Sequence, residues 1–269
     1  MISQRAYQSG SGERQRSAVL SLRDGVGVLL LAILGAVILK IFVVDAIHVP
    51  SRSMEGTLLE GDYVLVNKLI YGAKTPRHIP FVKSDFSFFQ LPPLRSIERG
   101  DVVVFEFPEP GLESPAFFVK RCAAISGDVI EVHDGLLFVD GKNASRQPGA
   151  RGNQVLGADF GPVNIPRAGD FLELTNDTKT IWRDIIAKEG HRISTGPSSE
   201  ILIDGHPAST YRVEKNYLFV LGDNSRHSYD SRCWGLLPEE NVVGEAMLVY
   251  WSMSELSSIR WERIGTLVE

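Results

Sequence analysis

Hydrophobic and polar positions divide this chain into one long apolar block, a series of short alternating segments and a mixed stretch between them. No charge occurs from Gly25 to Leu39; Lys40 follows, then Ile41 to Val44. From Gly25 through Val44 the block is twenty residues, about 30 Å as a helix and enough for a bilayer core. One N-terminal transmembrane helix is therefore predicted over 25–44. Lys40 stands near its outer end, where a long stem can snorkel to the interface. Arg5, Arg14, Arg16 and Arg23 precede the block, so residues 1–24 are expected to stay cytoplasmic and the rest to face outward. Val44-Asp45-Ala46 also fits a small-x-small cleavage rule, the rival reading. The block is long for a signal peptide and Lys40 interrupts it close to that site, so a retained anchor is favoured.

Beyond the anchor the period changes to two. Residues 46 to 61 read as an extended or turn-rich approach, with Pro50 opposing helix. Strands are predicted at Tyr63–Lys68, Val102–Phe107, Ala116–Ile125, Val129–Val132 and Leu136–Val139, and again at Tyr211–Val213, Tyr217–Leu221 and Ala246–Trp251. Residues 72 to 98 hold Pro76, Pro80, Pro92 and Pro93 among aromatics and read as a long, partly packed loop. Phe81, Phe86, Phe88, Phe89 and Leu91 in it are candidates to dip into a lipid surface. Between Lys142 and Thr210 charged, Gly- and Pro-containing sequence surrounds one predicted helix, Thr178–Glu189. This stretch reads as an inserted subdomain, 142–210. The expected fold is mainly β: a membrane-anchored β-sheet catalytic domain built from 46–141 and 211–269, split by that insertion.

Composition narrows the classes. The chain has 269 residues, 43% of them hydrophobic, ample for a core and against intrinsic disorder. A net charge of −5 without a Lys/Arg block excludes a general nucleic-acid binder. Six histidines lie scattered without metal-ligand spacing, and no Gly-x-Ser-x-Gly elbow occurs, so no metal and no cofactor is expected. Cys122 and Cys233 are too few for a disulfide scaffold or a four-cysteine zinc site; they are read as free thiols, with a disulfide between them left open.

Three segments carry the candidate chemistry. Pro50 to Leu59 sets Ser51, Ser53 and Thr57 directly beyond the anchor. Phe117-Phe118-Val119-Lys120-Arg121 holds a lysine in an apolar run. Gly222 to Arg232 forms a dense polar turn. Together they suggest a serine nucleophile, a lysine base and a scaffold.

Four ordered blocks give the chain a resemblance to the type I signal peptidases of bacteria, the membrane-anchored Ser-Lys proteases. The first is Pro-Ser-Arg-Ser-Met-Glu-Gly-Thr-Leu at 50–58 with Gly61-Asp62-Tyr63. The second is Arg99-Gly100-Asp101-Val102-Val103-Val104-Phe105 with Pro108. The third is Lys120-Arg121 with Gly127-Asp128. The fourth is Gly222-Asp223-Asn224 with Ser228, Asp230-Ser231-Arg232, Gly235 and Val243-Gly244. The family's pattern usually has proline at Gly56, glycine and proline at Ala124 and Ser126, and arginine at Ser225.

The resemblance implies Ser53 as nucleophile and Lys120 as its base. A solvated lysine cannot take a proton at neutral pH, but Phe118, Lys120 and Cys122 share one face of a strand, and desolvation there would lower its pKa. Lys68 and Lys142 compete by type, and neither lies in the matching block. The resemblance further implies that Ser51 and the Ser53 N–H stabilise the oxyanion and that Ser228 orients Lys120. It also implies an Asp230–Arg232 ion pair in the site wall, a turn shaped by Asp223 and Asn224, and a shallow substrate pocket lined by apolar residues such as Met54. His227 is read as a solvent-side residue. The implied activity is a membrane-bound serine endopeptidase that removes signal peptides from exported preproteins after an Ala-x-Ala-like motif. Its implied place is the bacterial cytoplasmic membrane, with preproteins and lipid as partners. Two alternatives stand beside it: a Ser-Lys processing protease of narrow specificity, and a non-catalytic membrane-anchored binding module on the same scaffold.

Overall fold

The computed structural model describes residues 9–74, 90–107, 116–144, 159–254 and 258–269, with side chains from residue 25 onward. Helix α1 runs Ser9–Phe42. Its Gly25–Phe42 stretch is long and apolar enough to cross a membrane, and none of its residues is buried. Only Val43 separates α1 from strand β1, Val44–His48. A turn-rich approach was expected from residue 46, and a paired strand stands there instead. The partner decides this: β1 lies antiparallel along β2, Asp62–Asn67, from Val44↔Asn67 to His48↔Tyr63.

Strands β3 (Val102–Glu106) and β4 (Phe117–Ala124) follow, then β5 (Val129–His133), β6 (Leu136–Val139), β7 (Lys142–Asn143) and β8 (Phe160–Asn164). After β9 (Phe171–Glu173) comes helix α2, Lys179–Lys188, which buries Ile185 and Ile186. The short strands β10 (Ile193–Thr195), β11 (Ile201–Ile203), β12 (His206–Pro207) and β13 (Thr210–Arg212) lead into β14, Tyr217–Leu221. The one-turn helix α3 (Ser231–Trp234), β15 (Leu237–Pro238) and β16 (Val242–Ser252) complete the described elements that matter here. All eight strands expected from alternation are present, with ends moved by a residue or two. Ala246–Trp251 is the exception in length, being the second half of the longer β16.

The main sheet has seven strands in the order β1-β2-β16-β3-β4-β14-β15. Its β3 reads Val-Val-Val-Phe without a polar break because both faces are covered. Val102 and Val104 join a core with Val49, Met54, Leu58, Val64 and Val66, whereas Val103 and Phe105 join Cys122, Leu218 and Val220 on the other side. Gly244 in β16 is fixed by space, since a Cβ there would come 2.4 Å from the Asn67 carbonyl oxygen.

A second, four-stranded sheet, β7-β6-β5-β8, draws strands from both sides of residue 142. Its core continues through Ala123, Ala124, Tyr217 and Phe219 of the main sheet to Ile185 and Ile186 of α2. Phe81, Phe86, Phe88 and Phe89 lie outside the described residues.

Candidate active site

Ser53 sits in a single 3-10 turn, Arg52–Met54, directly after Ser51. The turn closes through Glu55 N–H to the Arg52 carbonyl at 3.1 Å, and Asn224 N–H donates to the Ser53 carbonyl at 3.0 Å. Gly56 then takes φ +126°, a region glycine enters without penalty and proline cannot reach. The departure from the family's proline is thus a different backbone path just beyond the serine.

Lys120 arrives on β4, paired opposite Val103. Its Nζ lies 2.6 Å from Ser53 Oγ and 3.1 Å from the Val119 carbonyl oxygen, as donor to both. The two residues are 4% and 7% exposed. The Phe118 ring lies 5.8 Å from Nζ, on the apolar side expected from strand alternation. Burial lowers the Lys120 pKa from the ordinary lysine value to about 8. Asp230 and Asp223 oppose that shift, and Arg232 adds to it. A buried amine with that pKa is partly neutral near pH 8 and can accept a hydroxyl proton. Lys68 is tied instead to the end of α1, and Lys142 is exposed.

Two ion pairs frame this contact. Asp230 is fully buried, accepts from Gly222 N–H at 3.0 Å and holds Arg232 Nε at 2.7 Å. Arg232 also donates to the Ser225 carbonyl at 3.0 Å, so the pair closes the 222–232 turn on itself. The second pair was not assigned from sequence. Arg121, 1% exposed, donates to both carboxylate oxygens of Asp223 at 2.8 Å and to Thr57 Oγ1 at 2.9 Å. Thr57 Oγ1 in turn donates to Asp223 at 2.6 Å. A charged pair Lys-Arg inside an apolar strand was the available signal, since a buried guanidinium must meet a carboxylate. Asn224 Nδ2 donates to Glu55 at 3.2 Å, a second tie to the turn that carries Ser53.

Ser51 Oγ donates to Ser53 Oγ at 3.3 Å. The implied bond between Ser228 and Lys120 is absent: Lys120 bonds Ser53 and Val119, and Ser228 Oγ is buried without a partner. Ser228 nonetheless lies at the site, because a Cβ built on Gly222 would meet both Ser228 Oγ, at 2.2 Å, and the Ser53 carbonyl oxygen, at 2.5 Å. Met54 does not wall an open pocket. It is 1% exposed and packs into the core with Val49 and Leu58, because the tight turn directs it inward. A groove of about 350 Å³ runs instead along β1 to β4, lined in part by Ile47, Val66, Val104 and Phe117. His227 is exposed, as expected. Cys122 is buried and Cys233 exposed, and both are free thiols. Among the described residues no group of three or more His, Cys, Asp or Glu side chains could hold a metal ion.

The family described as Signal peptidase, peptidase S26, matches residues 22–251. Signal peptidase I of Helicobacter pylori is 29% identical over 94% of both chains. That of Aquifex aeolicus is 28% identical over 86% of this chain and 85% of its own. A crystal structure of a signal peptidase I from Enterococcus faecalis V583 is 18% identical, covering 56% of this chain and 97% of that one at a TM-score of 0.27. With a match that runs from the anchor to the last strand of the main sheet, this chain belongs to the signal peptidases of family S26 and is a serine peptidase.

Proposed function

We propose that this signal peptidase cuts with a Ser53–Lys120 dyad, after small side chains in the Ala-x-Ala manner, on preproteins held in the membrane that α1 enters. The observation that carries the reading is the 2.6 Å contact between Lys120 Nζ and Ser53 Oγ inside a buried site. Neutral Lys120 takes the Ser53 proton as Oγ attacks the scissile carbonyl carbon. The oxyanion is met by the Ser53 N–H and the Ser51 hydroxyl, which lies within reach of Oγ. The Lys120 ammonium returns the proton to the leaving amine, and the mature protein departs. Lys120, neutral again, then draws a proton from water, which hydrolyses the acyl ester and frees the signal peptide as a carboxylate. Ser228 positions the amine during these transfers, and its unpaired hydroxyl supports that role.

The sheet supports an extended substrate. Among the described residues β3 pairs with Phe117–Arg121 on one side, while β14 pairs only with Arg121 and beyond on the other. An extended peptide can add to that open half-edge and present side chains to the apolar groove. Residues 46–141 and 211–269 form the catalytic part, with 142–210 inserted. The four arginines before the apolar block support a cytoplasmic N-terminus, with the catalytic part on the outer face of the bacterial cytoplasmic membrane. The deciding assay is cleavage of an Ala-x-Ala preprotein by wild type, Ser53→Ala and Lys120→Ala. Both variants are expected to fold and to be inactive; turnover by either would overturn the dyad.

A further inference from the structure

We infer that Lys68 locks the end of α1 to the catalytic sheet, and that this lock makes the enzyme select how many residues separate a substrate's apolar membrane segment from its scissile bond. The inference rests on the reading of α1 as a membrane anchor. Between Phe42 and Ser53 the chain has little slack. Val43 N–H bonds the Leu39 carbonyl at 2.9 Å, while its own carbonyl accepts from Lys68 N–H at 2.9 Å. Val44 is already paired with Asn67, and pairing continues to His48↔Tyr63. Val49 extends it in both directions, donating to the Asp62 carbonyl at 2.8 Å and accepting from Gly61 N–H at 2.9 Å. β2 in turn pairs with β16 in the body of the sheet.

The Lys68 side chain completes the junction. It is nearly buried, and Nζ donates to the Lys40 carbonyl at 3.4 Å and to Asp45 at 3.5 Å. A helix leaves its last four carbonyls without intrahelical partners. A cation at that end both satisfies a carbonyl and meets the negative end of the helix dipole. The contact ties the last turn of α1 to the residue after β2, so bending α1 against β1 must break it. A helix on a loose tether would let Ser53 ride at many heights above the membrane. One fixed by β1 and Lys68 holds Ser53 at a single height. A substrate leaving the same bilayer advances about 3.3 Å per extended residue, so only a narrow spacer length brings its scissile bond to Ser53.

The test uses the full chain in lipid vesicles and preproteins with one Ala-x-Ala site and a stepwise lengthened Gly/Ser spacer after the apolar segment. Wild type is compared with Lys68→Met and with a Gly-Ser-Gly-Ser insertion between Val43 and Val44. A short water-soluble peptide with the same site, lacking an apolar segment, should be cleaved equally by all three. Wild type should show one sharp spacer optimum, Lys68→Met a broader one, and the insertion a loss of the optimum. Identical spacer profiles in all three would overturn the lock. Alkaline carbonate extraction separates the two ideas. Release of the wild-type chain removes the anchor reading and the lock with it, whereas retention with unchanged profiles overturns the lock alone.

Discussion

Arg121 grips both carboxylate oxygens of Asp223 through Nε and Nη2, each bond 2.8 Å long, across 102 residues of sequence. Lys120, its neighbour on β4, meets Ser53, and Arg121 meets Thr57. One strand therefore holds segment 53–57 at two points, one chemical and one structural. Losing either partner of a buried pair leaves an uncompensated charge and costs about 3–5 kcal/mol.

Asp223→Ala is accordingly expected to destabilise the protein by that order, read from denaturant unfolding in detergent. Arg121→Met with Asp223→Ala should cost less than the sum of the single changes, because neither charge is then stranded. Additive costs would show that the pair is not coupled.

The activity profile follows from burial of Lys120. Since its pKa is lowered to about 8, kcat/KM should rise with pH along a limb centred near that value. Asp230 holds the pKa up, so Asp230→Asn should move the limb to lower pH. Lys120→Arg should be inactive, because a guanidinium stays protonated throughout. A limb that stays put in Asp230→Asn would assign it to another group.

Ser228 separates activity from stability. Its hydroxyl is buried without a partner, and removing such a group relieves desolvation rather than breaking a bond. Ser228→Ala should leave Tm unchanged or raise it while kcat falls and KM stays near wild type. A lowered Tm with unchanged kcat would make the hydroxyl structural.

Gly222→Ala tests the crowding around the Ser53 carbonyl. Its Cβ would lie 2.5 Å from the Ser53 carbonyl oxygen and 2.2 Å from Ser228 Oγ. The backbone oxygen cannot swing aside, so activity should collapse. Adding Ser228→Ala should not restore it, because the Ser53 contact remains. Near-normal rates in Gly222→Ala would mean that the turn moves freely.

Lys188 carries a stability signature. Its amine donates to the Trp234 and Leu236 carbonyls at 2.9 and 2.7 Å, and burial lowers its pKa to about 8, against the pull of Asp184. The unfolded chain, with lysine near 10.4, then binds more protons between about pH 8 and 10.4. Stability should rise with pH across that window and be flat in this group's contribution below it. Lys120 adds to the same slope. Lys188→Met should flatten the rise measured by unfolding at stepped pH, and an unchanged slope would deny the shift.

Local patterns were readable because they need no partner to be recognised. The apolar block declared the Gly25–Phe42 part of α1 by length alone. Period-two runs such as Val129–His133 and Tyr217–Leu221 declared strands because successive side chains must face opposite sides. Order and type of residue, with the family resemblance, were enough to propose Ser53 and Lys120 before any contact was known. β1 was missed because its pairing comes from β2, while its first residue looked like the end of the anchor.

The rest depended on which distant groups close on one another. Asp223 is an ordinary turn aspartate until β14 delivers it to Arg121, and nothing within a few residues of either reports the other. Ser228 looked like a partner of Lys120, yet its buried hydroxyl is unpaired and Lys120 bonds Ser53 and Val119 instead. Met54 stands next to Ser53 in sequence but is turned into the core by a 3-10 turn that Asn224 holds from far along the chain. The sequence by itself determined the long apolar helix, most of the strands and the chemical types at the site. Tertiary packing alone decided burial, which brings the Lys120 pKa down to about 8, because desolvation depends on every atom around the amine and not on its neighbours along the chain.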